Sequence, residues 1–200
     1  MTDYLQQTSV GSRIKLARRA RGFRTTRELA DSIPGGNVTA AILENIESGR
    51  KADISVTQLL NIARALSVPP SILLAPIGHP NSPLDLPNLS DDFDGMTAAE
   101  FDCWFSATPA SSYRPSLAAE RADIDILNSL RELGTLWREV ERLRIVRNVQ
   151  SASGDTDLTG SNAELEDRID SVTREAAKLS SLLTTSGVVG VESNRTDVLG

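Results

Sequence analysis

The chain has 200 residues, is 40% hydrophobic but only 4% aromatic, and carries a formal net charge of −6. That content suits one or two all-α soluble domains with small cores of Leu, Ile, Val and Ala. The single cysteine, Cys103, excludes an internal disulfide, and with the lone His79 it furnishes no metal site, so no metal or other cofactor is expected.

Val10 to Arg21 carries an apolar stripe of Ile14, Leu16, Ala17 and Ala20 and stops at Gly22, which predicts a first helix. Thr25-Thr26-Arg27-Glu28 has the form of a capping box, a hydroxyl at the cap and a carboxylate three residues on. It opens a second helix that Pro34-Gly35-Gly36 ends. Thr39 caps a third helix, Ala40 to Ser48, and Gly49 is free to turn left-handed after it. Ser55-Val56-Thr57-Gln58 is a further box for a fourth helix, and Pro70 suits the first turn of a fifth.

From Pro76 to Pro115 the texture changes to prolines and aspartates, including Asp85, Asp91, Asp92 and Asp94. This reads as an acidic linker with one short helix, capped by Thr97-Ala98-Ala99-Glu100 and bearing Phe101, Trp104 and Phe105 on one face. Such a face is expected to dock onto the C-terminal helices or the head; a partner surface is the alternative.

Two longer helices follow. In the first, roughly 116–150, Ile126, Leu130, Leu133, Trp137 and Val140 alternate by four and three. In the second, roughly 162–184, Leu165, Ile169, Val172, Ala176, Leu179 and Leu183 do the same, so both carry a coiled-coil seam. A short loop at 151–155 predicts an antiparallel hairpin. Two helices have a thin core, so a third surface is needed, either the aromatic segment or a second copy of the chain. The predicted divisions are thus 1–78, a five-helix head; 79–115, the linker; 116–186, the hairpin; and 187–200, a disordered tail.

Several head motifs in order resemble the lambda-repressor-like (XRE) family of helix-turn-helix regulators. They are Arg13-Ile14 and Arg18, then Glu28-Leu29-Ala30, then Ile46-Glu47-Ser48-Gly49-Arg50, then Leu59-Leu60-Asn61-Ile62-Ala63-Arg64-Ala65-Leu66. The resemblance covers about a third of the chain. It implies a five-helix DNA-binding domain in which the third helix enters the major groove of double-stranded DNA. It also implies a buried ion pair between Arg18 and Glu47, and phosphate contacts from Thr26 and Thr39. The chain departs from the family by one extra residue between Gly22 and Leu29 and by the longer Pro34-Gly35-Gly36-Asn37 connection.

The residues themselves add to this. Thr26 and Thr39 lie beside helix N-termini, where free amides favour an anion. Arg50 and Lys51 after the third helix, with Arg24 and Arg27 around the start of the second, are candidate phosphate contacts; solvated surface charges are the alternative. Ala40, Ala41, Glu44 and Asn45 share the outer face of the third helix and are the candidate base contacts. The alanines suit a thymine methyl, Asn45 adenine, and Glu44 cytosine or a neighbouring arginine. With so few polar readers, DNA shape, the loop or a second protomer is expected to assist.

Residues 1–79 hold ten Lys/Arg against six Asp/Glu, and residues 80–200 eleven against twenty-one. A basic head on an acidic remainder fits a DNA-binding domain with a non-DNA tail, and equally a basic helix face that is merely solvated. No leader-like start and no membrane-length run is read, so a cytoplasmic protein without a membrane partner is expected. The leading expectation is a transcriptional repressor occupying operator DNA, homodimeric through its C-terminal helices. The alternative is an interaction module, of antitoxin or adaptor type, whose hairpin binds a partner protein. Catalysis is not expected: Lys178 is the only lysine after Lys51, and no phosphate loop, carboxylate pair or Cys/His couple emerges.

Overall fold

A computed structural model describes residues 3–108, 112–152 and 159–188. They are all-helical, with no β-strand among the described residues and only an isolated antiparallel bridge between Pro83 and Thr97. The helices are α1 (Val10–Ala20), α2 (Thr26–Asp31), α3 (Ala40–Glu47), α4 (Val56–Leu66), α5 (Pro70–Leu74), α6 (Ala98–Ser106), α7 (Ala118–Ala152) and α8 (Thr159–Thr185). Short 3-10 turns occupy Asp3–Gln6 and Asp91–Phe93. The chain divides into two compact units, Met1–Arg114 and Pro115–Gly200. No described helix is long and apolar enough to cross a membrane.

In the first unit, local signals start the helices. Ser9, Thr25, Thr39, Ser55 and Thr97 each cap one, their side-chain oxygens accepting an amide of the first turn. Ser55 with Gln58 and Thr97 with Glu100 form complete capping boxes. Thr25 and Glu28 do not. The Glu28 carboxylate reaches one residue further back and accepts from the Arg24 amide at 2.7 Å. Helix α2 also ends earlier than expected, at Asp31, before the Pro34-Gly35-Gly36 turn, in which Gly35 and Gly36 have φ of 97° and 68°.

The apolar stripes converge on one core in which Ile14, Leu29, Leu43, Ile46, Ile62, Leu66 and Leu73 are essentially inaccessible to water. Truncating any of these to alanine removes roughly 2–5 kcal/mol. Helix α1 approaches α3 very closely at Gly11, where an added Cβ would stand 2.1 Å from the Ile46 carbonyl oxygen. Only glycine fits there.

Arg13 lies inside this core and is fully buried. Its Nε donates to the Leu73 carbonyl, and its terminal nitrogens donate to the Gln7 and Leu74 carbonyls and to both oxygens of Asp85, all at 2.7–2.8 Å. All five guanidinium donors are thereby satisfied. Around this anchor, the stretch expected to be a linker is folded. Leu84, Leu86, Phe93 and Met96 pack with Ala75, Ala98 and Phe101 in a second small core. Backbone bonds from Leu84, Ala98 and Ala99 to Met96, Ser82 and Pro80 close it. The aromatic face of α6 is split: Phe101 is 3% exposed, whereas Trp104 and Phe105 remain 36% and 48% exposed. The division between units falls after residue 114, so residues 79–108 belong to the head.

The second unit is an antiparallel pair. Arg147 meets Glu166 near one end, Val140 packs with Ile169 and Val172, and Leu133 packs with Ala176 and Leu183. Helix α8 presents the expected seam. Helix α7 does not quite do so: Leu130 is 37% exposed, while Leu136 and Leu143 join Leu133, Trp137 and Val140 in the cores. The expected loop at 151–155 and the tail at 187–200 lie mostly outside the described residues.

Candidate nucleic-acid interface

Helices α2 and α3 pack against each other, and α3 also packs on α1. The eight-residue α3 divides cleanly by face, with Leu43 and Ile46 buried and Ile42 half-buried on the inner side. On the outer side Ala41 and Glu44 are exposed, and Ala40 and Asn45 half-buried. All four expected base-reading residues therefore remain at least partly accessible to solvent.

The orientation of this pair rests on Arg18 and Glu47. Arg18 Nε and a terminal nitrogen donate to the two carboxylate oxygens of Glu47 at 2.7 and 2.8 Å. The other terminal nitrogen donates to the carbonyls of Phe23 and Arg24. With side-chain exposures of only 5% and 7%, the pair is shielded from solvent, and the hydrogen bonds that Arg18 donates to Glu47 raise the Arg18 pKa. One guanidinium thus joins helix α1, the approach to α2 and the last turn of α3.

Thr39 accepts the Ile42 amide at 3.2 Å, which leaves its hydroxyl proton to donate outward. Thr26 behaves differently. Its hydroxyl donates to Glu44 at 3.3 Å, bridging the start of α2 to the exposed face of α3. The neighbour of Glu44 is thus a threonine, where an arginine was one expectation. A phosphate can only accept, so the single Thr26 proton serves either Glu44 or a phosphate.

Arg24, Arg27 and Arg50 are exposed and Lys51 is half-buried. Among the described residues, no hydrogen bond or ion pair engages the side chains of these four cations. The Lys51 amide donates to the Asn45 carbonyl at 2.9 Å, and Gly49, at φ 75°, turns the chain so that Arg50 and Lys51 follow α3 directly.

Sequence reading missed three supports. Arg21 donates to the carbonyls of Leu66 and Ser67 and so closes the C-terminus of α4. Asn37 is held by Gln58 through its carbonyl and by Asn61 through its side chain, each at 3.0 Å. These two bonds fasten the lengthened α2–α3 connection to α4. Gly11 is the third. Polar residues in helical registers are the only sequence signal for the first two, and it names no partner.

Comparison with family models, with curated proteins and with solved structures finds no match to this chain.

Proposed function

We propose that the chain is a sequence-specific DNA-binding transcriptional regulator of the lambda-repressor-like type, a repressor acting by operator occupancy. The observation that carries this reading is the outer face of α3. It is solvent-accessible, it starts at an exposed capped N-terminus, and two cations with unengaged side chains follow its end. Helix α2 would lie across the backbone while α3 enters the major groove, with the Arg18–Glu47 pair holding the two in register. Thr39, Arg24, Arg27, Arg50 and Lys51 would contact phosphates. Thr26 would do so on release from Glu44. Ala40, Ala41, Glu44 and Asn45 would meet base edges.

The C-terminal hairpin would join two copies, so that paired heads read a two-fold operator. Retention of DNA from a random duplex pool tests the reading directly. A selected, two-fold sequence bound with steep salt dependence supports it, whereas equal retention of all duplexes overturns it. The second reading, a hairpin that binds another protein, is favoured by the exposed apolar residues of α7, including Leu127 and Ile145. It predicts stoichiometric copurification of that partner.

A further inference from the structure

The two-helix core of the second unit uses one face of α7 and leaves a different, regular face in solvent. Leu127, Leu130, Ile145 and Val149 are 40%, 37%, 54% and 62% exposed. With Gly134, Arg138 and Glu141 they complete a series at 127, 130, 134, 138, 141, 145 and 149. Its steps repeat as three, four, four, an eleven-residue repeat that stays on one side of a nearly straight helix. The stripe extends for about 33 Å at the ordinary helical rise. Scattered apolar residues would carry no message, but this regular spacing describes a helix-packing surface.

The order of residues identifies its occupant. The series reads nearly the same in both directions about Arg138, with apolar residues at the ends and polar ones at the centre. Antiparallel to a second copy, Leu130 would oppose the other copy's Ile145, Leu127 its Val149, and Gly134 its Glu141. At the axis the two Arg138 backbones would face each other, and on either side of it the surface is complementary in charge as well as shape. Arg138 folds back along its own helix, donating to Thr135 at 2.9 Å, and its Nη1 lies 3.5 Å from where a Cβ on Gly134 would stand. The guanidinium therefore sits over the glycine, at the place where the opposing Glu141 would arrive. Glu141 is exposed and has no ion-pair partner among the described residues. Arg142, on the rim of the same face, is already neutralised by both oxygens of Glu139 at 2.7 Å.

We propose that α7 pairs antiparallel with α7 of a second copy about a two-fold axis at Arg138, joined by reciprocal Arg138–Glu141 bridges over Gly134. Such an interface is isologous and closed, as a two-fold dimer requires. The assignment rests on the homodimer of the proposed function and is independent of DNA binding.

Sedimentation equilibrium of the full chain tests it. The wild type is expected to be dimeric, and Arg138→Glu or Glu141→Arg to weaken association at least about tenfold, because each places like charges together. The double exchange R138E/E141R is expected to restore it. Circular dichroism unchanged across the set shows that these exposed substitutions leave the fold intact. In a Cys103→Ser background, Leu130→Cys mixed with Ile145→Cys should oxidise to the mixed disulfide in preference to either self-linked product. A monomeric wild type, a dimer indifferent to both charge reversals, or dominant self-linking at 130 would each overturn the proposal. Loss of duplex selection with this crosslink intact would count against the DNA reading alone.

Discussion

Arg13 and Asp85, 72 positions apart, form a two-pronged ion pair whose guanidinium is wholly enclosed by the head. An enclosed cation that loses its partner is costly, because water cannot replace it. Asp85→Ala is therefore expected to destabilise the chain by about 3 kcal/mol, the lower part of the range for broken buried pairs, since Asp85 keeps some solvent contact. Asp85→Asn, which retains an acceptor oxygen, should cost less. Urea denaturation measures both, and equal midpoints for wild type and the alanine variant would show the pair to be inert.

The Arg18–Glu47 pair predicts a coupled effect on stability and on the placement of α3. Glu47→Gln is expected to remove roughly 3 kcal/mol and to loosen the end of α3 against α1. Because the Arg18 pKa is raised, its stabilisation is complete below the ordinary guanidinium value and fades only in strong alkali. Unfolding midpoints of Arg18→Met and wild type should therefore run parallel through neutral pH.

Gly11 and Gly35 separate crowding from backbone strain. Gly11→Ala drives a methyl group into the Ile46 carbonyl and is expected to cost about 2–3 kcal/mol. Gly35 has open space around it, so Gly35→Ala meets only the left-handed φ penalty of about 1 kcal/mol. Thermal melts of the two variants should rank in that order.

At the proposed DNA face, Asn45→Ala should erode preference among duplexes while leaving nonspecific affinity nearly intact. Arg50→Ala should weaken all duplexes alike and reduce the salt slope by about one. Thr26→Ala frees Glu44 as well as removing a hydroxyl, so it should change which duplexes are selected. Competition binding against a panel of sequences distinguishes these outcomes, and the reverse pattern for Asn45 and Arg50 would exchange their assigned roles.

Acid should act on α6 through Glu100. Its carboxyl is held below the ordinary value of 4.5 by the amide and hydroxyl of Thr97. A depressed carboxyl stabilises above its unfolded pKa, and the contribution is lost as pH falls through the folded one. In a Trp137→Phe background, fluorescence of Trp104 should thus report a transition on the acid side of 4.5 that Glu100→Gln weakens.

The helices of the head were legible because their boundaries depend on neighbours in sequence: Thr39 caps α3 and Ser55 caps α4 through amides three residues away. The accessible face of α3 followed from the same periodicity. Contacts made across the fold were not legible. Nothing local distinguishes Asp85, which closes the core, from Asp91, which is exposed, and a stretch rich in proline reads as extended whether or not its leucines find a surface. The link from Thr26 to Glu44 spans 18 positions and exists only once α2 lies against α3. In α7, strict alternation by four and three placed Leu130 inside, but it is 37% exposed while Leu136 and Leu143 join the cores, because the long helix carries two competing stripes.

The five donors of Arg13 have a bearing on modularity. Its acceptors come from Gln7 before α1, the end of α5 and the stretch beyond His79, so a head excised at residue 79 would strand a positive charge among leucines. The transplantable piece is longer than its five-helix outline suggests. Recombination that exchanged tails between such proteins would preserve a working head only if the join fell beyond α6.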